Sequence, residues 1–407
     1  MMYLASRSLP MDKMMKRYAQ VILHSAIHIQ EGESLSINTN LSSLEYAREL
    51  AQMASEITLQ QVNIVVIDKG VPKDVLEATP VENEQLITPP TRYALLRLDD
   101  TEDREWDFHE DPESVLGNMA LLQQAGILGA PPLTRQIAPW ALMAVPGPVW
   151  AKRLFGGSGT EEELWRLFTY VMKLDAKDPI GAWDEQARLI QHRLNVLNSL
   201  DISSVRLRNS KTDLRFALVK DSHWRGGRQI LSSGRSFIPR LPLERVSAIP
   251  ERASATGMIS ASRPFKLLGR MVENAVFTFA EGRVVDVQAS AGIEILKQVL
   301  SIDQGASRLG EIALIDEDSP LSSFGHFFGY SGFDDNLSSS LAFGVVDTLH
   351  LDDNTGFEDE NDLQARTGCN ISDIHLPVKF GTRDTEVSIV LGDGNEIKIM
   401  HNGSFSI

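Results

Sequence analysis

The chain of 407 residues has a single cysteine, Cys369. One thiol excludes an internal disulfide framework and a thiolate metal cluster, so a metal would have to be held by carboxylates and imidazoles. Cys369 itself reads as a small, half-buried hydrophobe. Basic residues are scarce beside acids: 39 Lys and Arg against 55 Asp and Glu give a formal net charge of −16. Nucleic-acid binding by counterion release needs clustered Lys and Arg, and this balance excludes that class of partner. No apolar run approaches the ~18 residues of a bilayer span. The opening MMYLASRSLPMDKMMKRYAQ lacks the continuous apolar stretch of a secretory leader. The expectation is a cytoplasmic protein that does not use a membrane. GxxxxGK[ST], GxGxxG and HExxH are missing, and Gly226-Gly227 and Gly332 form no phosphate-cradling loop. The run Ser338, Ser339, Ser340 lacks the strained GxSxG turn of a hydrolase nucleophile.

What remains is a globular composition, 43% hydrophobic and 23% charged, in a chain long enough for two domains. Met14–Ile29 carries apolar residues at helical spacing, Ser34–Ile37 is strand-like, Ser43–Ile57 is helical, and Val62–Ile67 (VNIVVI) reads as a buried strand. Helix alternating with strand predicts an α/β domain on a mainly parallel sheet. Val115–Ile127, Glu161–Lys173 and Asp184–Ser199 are further helical stretches, and the proline-rich Pro131–Pro148 reads as a loop or docking segment. After Asp201 the texture changes. Val205–Leu207, Leu214–Val219, Ala275–Ala280 and Val284–Ala289 are short alternating runs between Gly, Asp and Asn turns, interrupted by one helical stretch, Gly292–Ser301. Val387–Leu391 and Glu396–Met400 flank Gly392-Asp393-Gly394 as a hairpin. The expected organisation is an N-terminal α/β domain over 1–200 and a β-rich, α+β domain over 201–407. The acidic stretch Asp347–Asp362 (DTLHLDDNTGFEDEND) lacks EF-hand spacing and reads as a solvated insertion.

Five segments of the second half form an ordered set: LRNSKTDLRFALVKDSHWRGG (Leu207–Gly227), FIPRLPLERVSAIP (Phe237–Pro250), GASRLGEIALIDEDSPLS (Gly305–Ser322), FDDNLSSSLAFG (Phe333–Gly344) and NISDIHLPVKFG (Asn370–Gly381). In order and spacing they resemble the thermophilic metalloprotease family typified by aminopeptidases T and S. Met14–Gly70 and VPGPVWAKRLF at Val145–Phe155 extend the likeness to nearly the whole chain. The resemblance implies a homodimer and a β-rich domain holding two divalent ions, zinc or cobalt, that remove N-terminal residues from peptides. Two such cations share carboxylates, lower the pKa of a bound water and polarise the scissile carbonyl.

The ligand positions that the resemblance implies are mostly altered. The Glu of Pro-x-x-Glu-Val is Arg245 in PLERV, with Glu244 one residue earlier. The Glu of Leu-Gly-Glu is kept as Glu311. The His seven residues past the Phe of FDDN is Ser340, and the Tyr seven residues further is Asp347. The final His-x-Asp is His375 followed by Pro377. Only Glu311 and His375 keep a donor. Taken alone, a Glu in a turn is a surface carboxylate, and a His on a strand is a structural one.

Two readings from different classes follow. In one, the chain is a non-catalytic homologue with no tightly bound metal, acting by peptide or protein binding or by assembly. In the other, it is a working aminopeptidase whose rebuilt or mononuclear site combines Glu311 and His375 with Glu244, Asp334, Asp335 or Asp373. On the first reading the Arg245 guanidinium replaces the metal charge and pairs with Glu311, with Ser340 and Asp347 completing a polar network.

Overall fold

The computed structural model describes residues 9–66, 92–99, 116, 138–231, 233–324, 327–351, 357 and 359–407. Its N-terminal part alternates helix and strand. Helix α1 (Met11–Val21) runs into a wider helical turn at Ile22–Ala26, and β1 (Ser34–Thr39), α2 (Leu44–Thr58), β2 (Val62–Val66), β3 (Tyr93–Asp99) and β4 (Trp140–Ala144) follow. The strands lie side by side in the order β2-β1-β3-β4, and every pairing is parallel. Period-two burial fixes β1, which buries Leu35 and Ile37 and leaves Ser34, Ser36 and Asn38 half-covered.

Two expectations change here. The VNIVVI run is not a buried strand: β2 is the outer strand of the described sheet, with Val65 46% and Val66 40% exposed. The proline-rich stretch is not all loop, since the apolar run WALMA between Pro139 and Pro146 forms β4 and joins the sheet through Leu95 and Trp140. The helix expected at Val115–Ile127 lies outside the described residues except for Leu116.

Three helices complete this part: α3 (Pro148–Phe155), α4 (Glu161–Val171) and α5 (Pro179–Asn198). Thr160 and Glu163 form a reciprocal capping box at the start of α4. Asp178 accepts the Gly181 N–H, with Pro179 at the first helical position, so α5 begins before the expected Asp184.

The strand Ile202–Asn209 opens an antiparallel region. An eight-stranded sheet places Ile202–Asn209 between Thr212–Phe216 and Glu386–Leu391, and the latter makes the expected hairpin with Glu396–His401. A five-stranded sheet runs His375–Lys379, Ser340–Gly344, Leu309–Leu314, Val246–Ala248, Arg225–Gly226, again antiparallel throughout.

One continuous hydrophobic core joins the parallel-sheet and antiparallel parts. Although Phe, Trp and Tyr make up only 7% of the chain, they gather at this seam. Phe168 of α4 stacks on Phe333 with ring centroids 5.3 Å apart, and the Trp150 indole of α3 donates to the Phe328 carbonyl at 2.7 Å. Arg193 of α5 pairs with Asp316 at 2.6 Å. Each buried ring of this kind stabilises the packing by roughly 1.5–3 kcal/mol. Among the described residues, no helix is long and apolar enough to cross a membrane.

Candidate functional site

The five-stranded sheet positions the site by simple alternation. Val246, Ala248, Ile312, Leu314, Leu341, Phe343, Leu376 and Val378 belong to the common core. Their neighbours therefore point to the opposite face: Ser247, Glu311, Ala313, Ser340, Ala342, His375, Pro377 and Lys379. Pairing sets one straight row across this face, Arg225–Ser247–Ala313–Ser340–Lys379. Glu311, Ala342 and Pro377 form the next row. The strand carrying Pro377 lies at the sheet edge, where a missing N–H is tolerated. Glu311 is thus a mid-strand residue beside a bulge, not a carboxylate in a surface turn.

Arg245 immediately precedes its strand and shares the face of Ser247. Its guanidinium is ion-paired with Glu311, at side-chain exposures of 27% and 16%. To reach Glu311 it crosses the row that contains the small residues Ser247, Ala313 and Ser340. Gly226 supports this arrangement from the next strand, because a Cβ there would collide with the Arg245 carbonyl oxygen. The His375 Nε2 lies 3.9 Å from the other oxygen of Glu311. Burial acts to raise the Glu311 carboxyl, but Arg245, then His375 and His350, outweigh it and hold the group well below the usual carboxylate range. Burial acts against the Arg245 charge, while Glu311, Asp335 and Asp347 favour it, leaving the guanidinium above its ordinary value.

Two neighbours were not foreseen from the sequence. Lys379 is only 4% exposed and donates to the Asp335 carbonyl at 3.2 Å. Burial pulls its ammonium down to about 8, and Asp335 is the first group to oppose that fall. Its signal was the alternation in HLPVK, which puts a lysine on the same face as His375. The second is His350, 3% exposed. Its Nδ1 lies 3.0 Å from the Asp347 carbonyl and so donates there, leaving Nε2 to accept from the Ser247 hydroxyl at 3.0 Å. Burial lowers its pKa and favours the neutral ring.

The remaining sequence candidates are distributed unevenly. Ser340 is buried between Ala313 and Lys379, but among the described residues its hydroxyl makes no hydrogen bond to Arg245 or Glu311, so that part of the expected network is not formed. Asp347 lines the cleft beside the pair, and its carboxylate accepts the Leu349 N–H at 3.1 Å. Asp335 lines the same cleft. Asp334 instead accepts the Phe328 N–H at 2.7 Å, and burial pushes its carboxyl up to about 7. Glu244 faces α5, where it accepts from Gln186 at 2.9 Å, and Asp373 is an exposed residue held by Asp303. The acidic stretch is partly structured: Asp347 starts the short turn Thr348–His350, and Asp359 caps the helix Glu360–Thr367. Its residues 352–356 and 358 lie outside the described set. Among the described residues, no three His, Cys, Asp or Glu side chains are grouped so as to hold a metal ion.

The fold is a parallel α/β part packed on antiparallel sheets, with glutamate, histidine and cationic side chains gathered on one sheet face. The chain belongs to the family described as thermophilic metalloprotease (M29), which matches residues 11–405. It is 28% identical to aminopeptidase T of Thermus aquaticus, covering 97% of this chain and 98% of that one. It is 27% identical to aminopeptidase PepS of Streptococcus thermophilus, with coverage of 97% and 98%. The solved structure of wild-type AmpT from Thermus thermophilus shares the fold, with a TM-score of 0.78 at 24% identity over 97% of this chain and 99% of that chain.

Proposed function

We propose that this chain is a member of the family that has exchanged divalent metal for side-chain charge, and that it binds peptides or assembles with a partner instead of hydrolysing peptide bonds. The ion pair between Arg245 and Glu311 carries the reading. A guanidinium has no lone pair to offer a metal and a fixed charge that repels one. Neither the Ser340 hydroxyl nor the Pro377 ring replaces the imidazole and carboxylate that the family resemblance assigns there. The donors present do not fit a pair of divalent ions, which need several Glu, His or Asp ligands between them. Lys379 strengthens the reading, because a second organic cation is buried on the same face and balances Asp335.

The test combines elemental analysis of the purified protein with hydrolysis of unblocked aminoacyl chromogenic substrates in excess zinc and in excess cobalt. The expected outcome is substoichiometric metal and no metal-dependent release of N-terminal residues. Two equivalents of bound metal with chelator-sensitive turnover would overturn the proposal, and one equivalent with turnover would establish the mononuclear peptidase instead. We also propose that the chain is a homodimer, on the ground that the likeness to its relatives covers 97% of its length and includes the surfaces outside the site. Sedimentation should give twice the 45.1 kDa chain mass, and a monomer at micromolar concentration would refute it.

A further inference from the structure

Beside the Arg245–Glu311 pair lies a cleft of about 550 Å³, within the size range of sites that enclose small ligands. Three more arginines, Arg225, Arg228 and Arg240, stand on its walls. In a chain with net charge −16 this local excess of guanidinium groups runs against the composition. Acidic partners are plentiful, and Arg228 has taken one, Asp184. Among the described residues, the guanidinium groups of Arg225 and Arg240 have none. Arg225 lies directly across the sheet from Ser247, so it stands next to the polar face just described. A second observation is independent of charge: Trp224, another wall residue, is 3% exposed, and its indole N–H has no acceptor among the described residues. A buried donor without a partner is costly. The cleft is not uniformly basic, because Asp335 and Asp347 also line it. A free phosphate or nucleotide would meet the arginines and be repelled by these carboxylates. A ligand with carboxylates and an ammonium group satisfies both signs.

We propose that the cleft is a binding site for short acidic peptides with a free amino terminus. Arg225 and Arg240 pair with the ligand carboxylates, for which the planar guanidinium fork is suited, and Asp335 and Asp347 receive the terminal ammonium. This specificity rests on the reading of the site as one that binds peptides without cleaving them. It is tested by isothermal titration of the full chain with a tripeptide containing two glutamates, its glutamine and lysine counterparts, its N-acetylated form, and inorganic phosphate. The glutamate peptide should bind at least about tenfold more tightly than the glutamine and lysine peptides, a difference of about 1.4 kcal/mol. N-acetylation should weaken binding by a similar factor. Arg225→Gln and Arg240→Gln should each weaken the glutamate peptide by about tenfold while leaving the glutamine peptide nearly unchanged. Equal affinity for glutamate and glutamine peptides, unchanged binding in the Arg225→Gln/Arg240→Gln double variant, or no peptide binding overturns the proposal. Phosphate binding as tightly as the glutamate peptide also overturns it, in favour of a simple anion site. The two readings fail separately: zinc-dependent cleavage of the bound acidic peptide would remove the non-hydrolytic reading and leave the acidic preference standing. Metal-free protein that binds all the tripeptides equally would do the reverse.

Discussion

Replacing Arg245 with alanine should destabilise the protein chiefly by what it leaves behind. In the native fold Glu311 keeps 16% and Arg245 27% of its side-chain surface exposed, so the pair is mostly but not wholly removed from water. Breaking a fully buried pair costs about 3–5 kcal/mol, whereas an exposed pair is worth less than about 1 kcal/mol. The Glu311 carboxylate is the more enclosed member, and His375 at 3.9 Å gives it only a distant alternative. These facts place Arg245→Ala nearer the buried limit, at about 2–3 kcal/mol. Urea unfolding at neutral pH should show the loss, and 0.5 M salt should change it little because enclosed charges are poorly screened. Removing both partners tests the cause. An Arg245→Ala/Glu311→Ala protein should be more stable than the Arg245→Ala single variant, because the stranded carboxylate is gone. A single-variant loss below about 0.5 kcal/mol, or strictly additive losses in the double variant, would refute the argument.

Other predictions use different parts of the structure. The triple change Arg245→Glu, Ser340→His and Pro377→Asp should create weak zinc affinity, and adding Lys379→Met should raise it at least about tenfold by removing a second cation from the same face; calorimetric titration with zinc checks both, and equal affinity with and without Lys379 would count against its placement. Glu244 provides a pH test: it is buried, its Oε1 has no partner among the described residues, and burial pushes its carboxyl from 4.5 up to about 7. A raised folded pKa means that the stability it confers when protonated is fully present below pH 4.5 and is lost as pH rises through about 7, a change of roughly 3 kcal/mol. Glu244→Gln should therefore stabilise the protein by about 2–3 kcal/mol at pH 8 and change little at pH 4.5; a difference that is flat with pH would contradict this. Asn370 is 1% exposed and donates to the Gly305 and Gly344 carbonyls at 2.9 and 2.7 Å, so Asn370→Ala should cost about 2–4 kcal/mol in urea unfolding.

How much of this was legible beforehand depended on the kind of signal. The parallel sheet followed from helices alternating with strands, and the Glu386–His401 hairpin from its Gly-Asp-Gly turn, because both signals are local. Burial of Val62–Val66 was misread because an apolar run records what a strand can bury and not whether it has two neighbours. Helix α5 was started late because the Asp178-Pro179 cap was passed over in favour of the hydrophobic pattern. The Arg245–Glu311 pair could be anticipated because the family resemblance puts both residues at ligand positions and a carboxylate kept in a cleft needs a cation. Ser340 could not be placed from its type, because a hydroxyl is satisfied in many ways and here it is buried between Ala313 and Lys379 without bonding to the charged pair.

On the proposed reading, Lys379 links the loss of metal donors to a gain of organic cations. The sheet face brings Glu311 together with Asp335 and Asp347, and removing ions from such a face leaves carboxylates whose repulsion and lost hydration must be offset. Arg245 feels Asp335 as well as its partner Glu311, but the segment that carries Asp335 is held by Lys379 from a different strand. Two cations on separate strands distribute the positive charge across the face and hold it covalently in fixed positions. Restoring a glutamate at Arg245 alone would therefore not rebuild a metal site. It would add a carboxylate next to Glu311 while the Lys379 ammonium remained to compete with an incoming ion, so the single Arg245→Glu variant should be less stable than Arg245→Ala and still bind no zinc in the same titration.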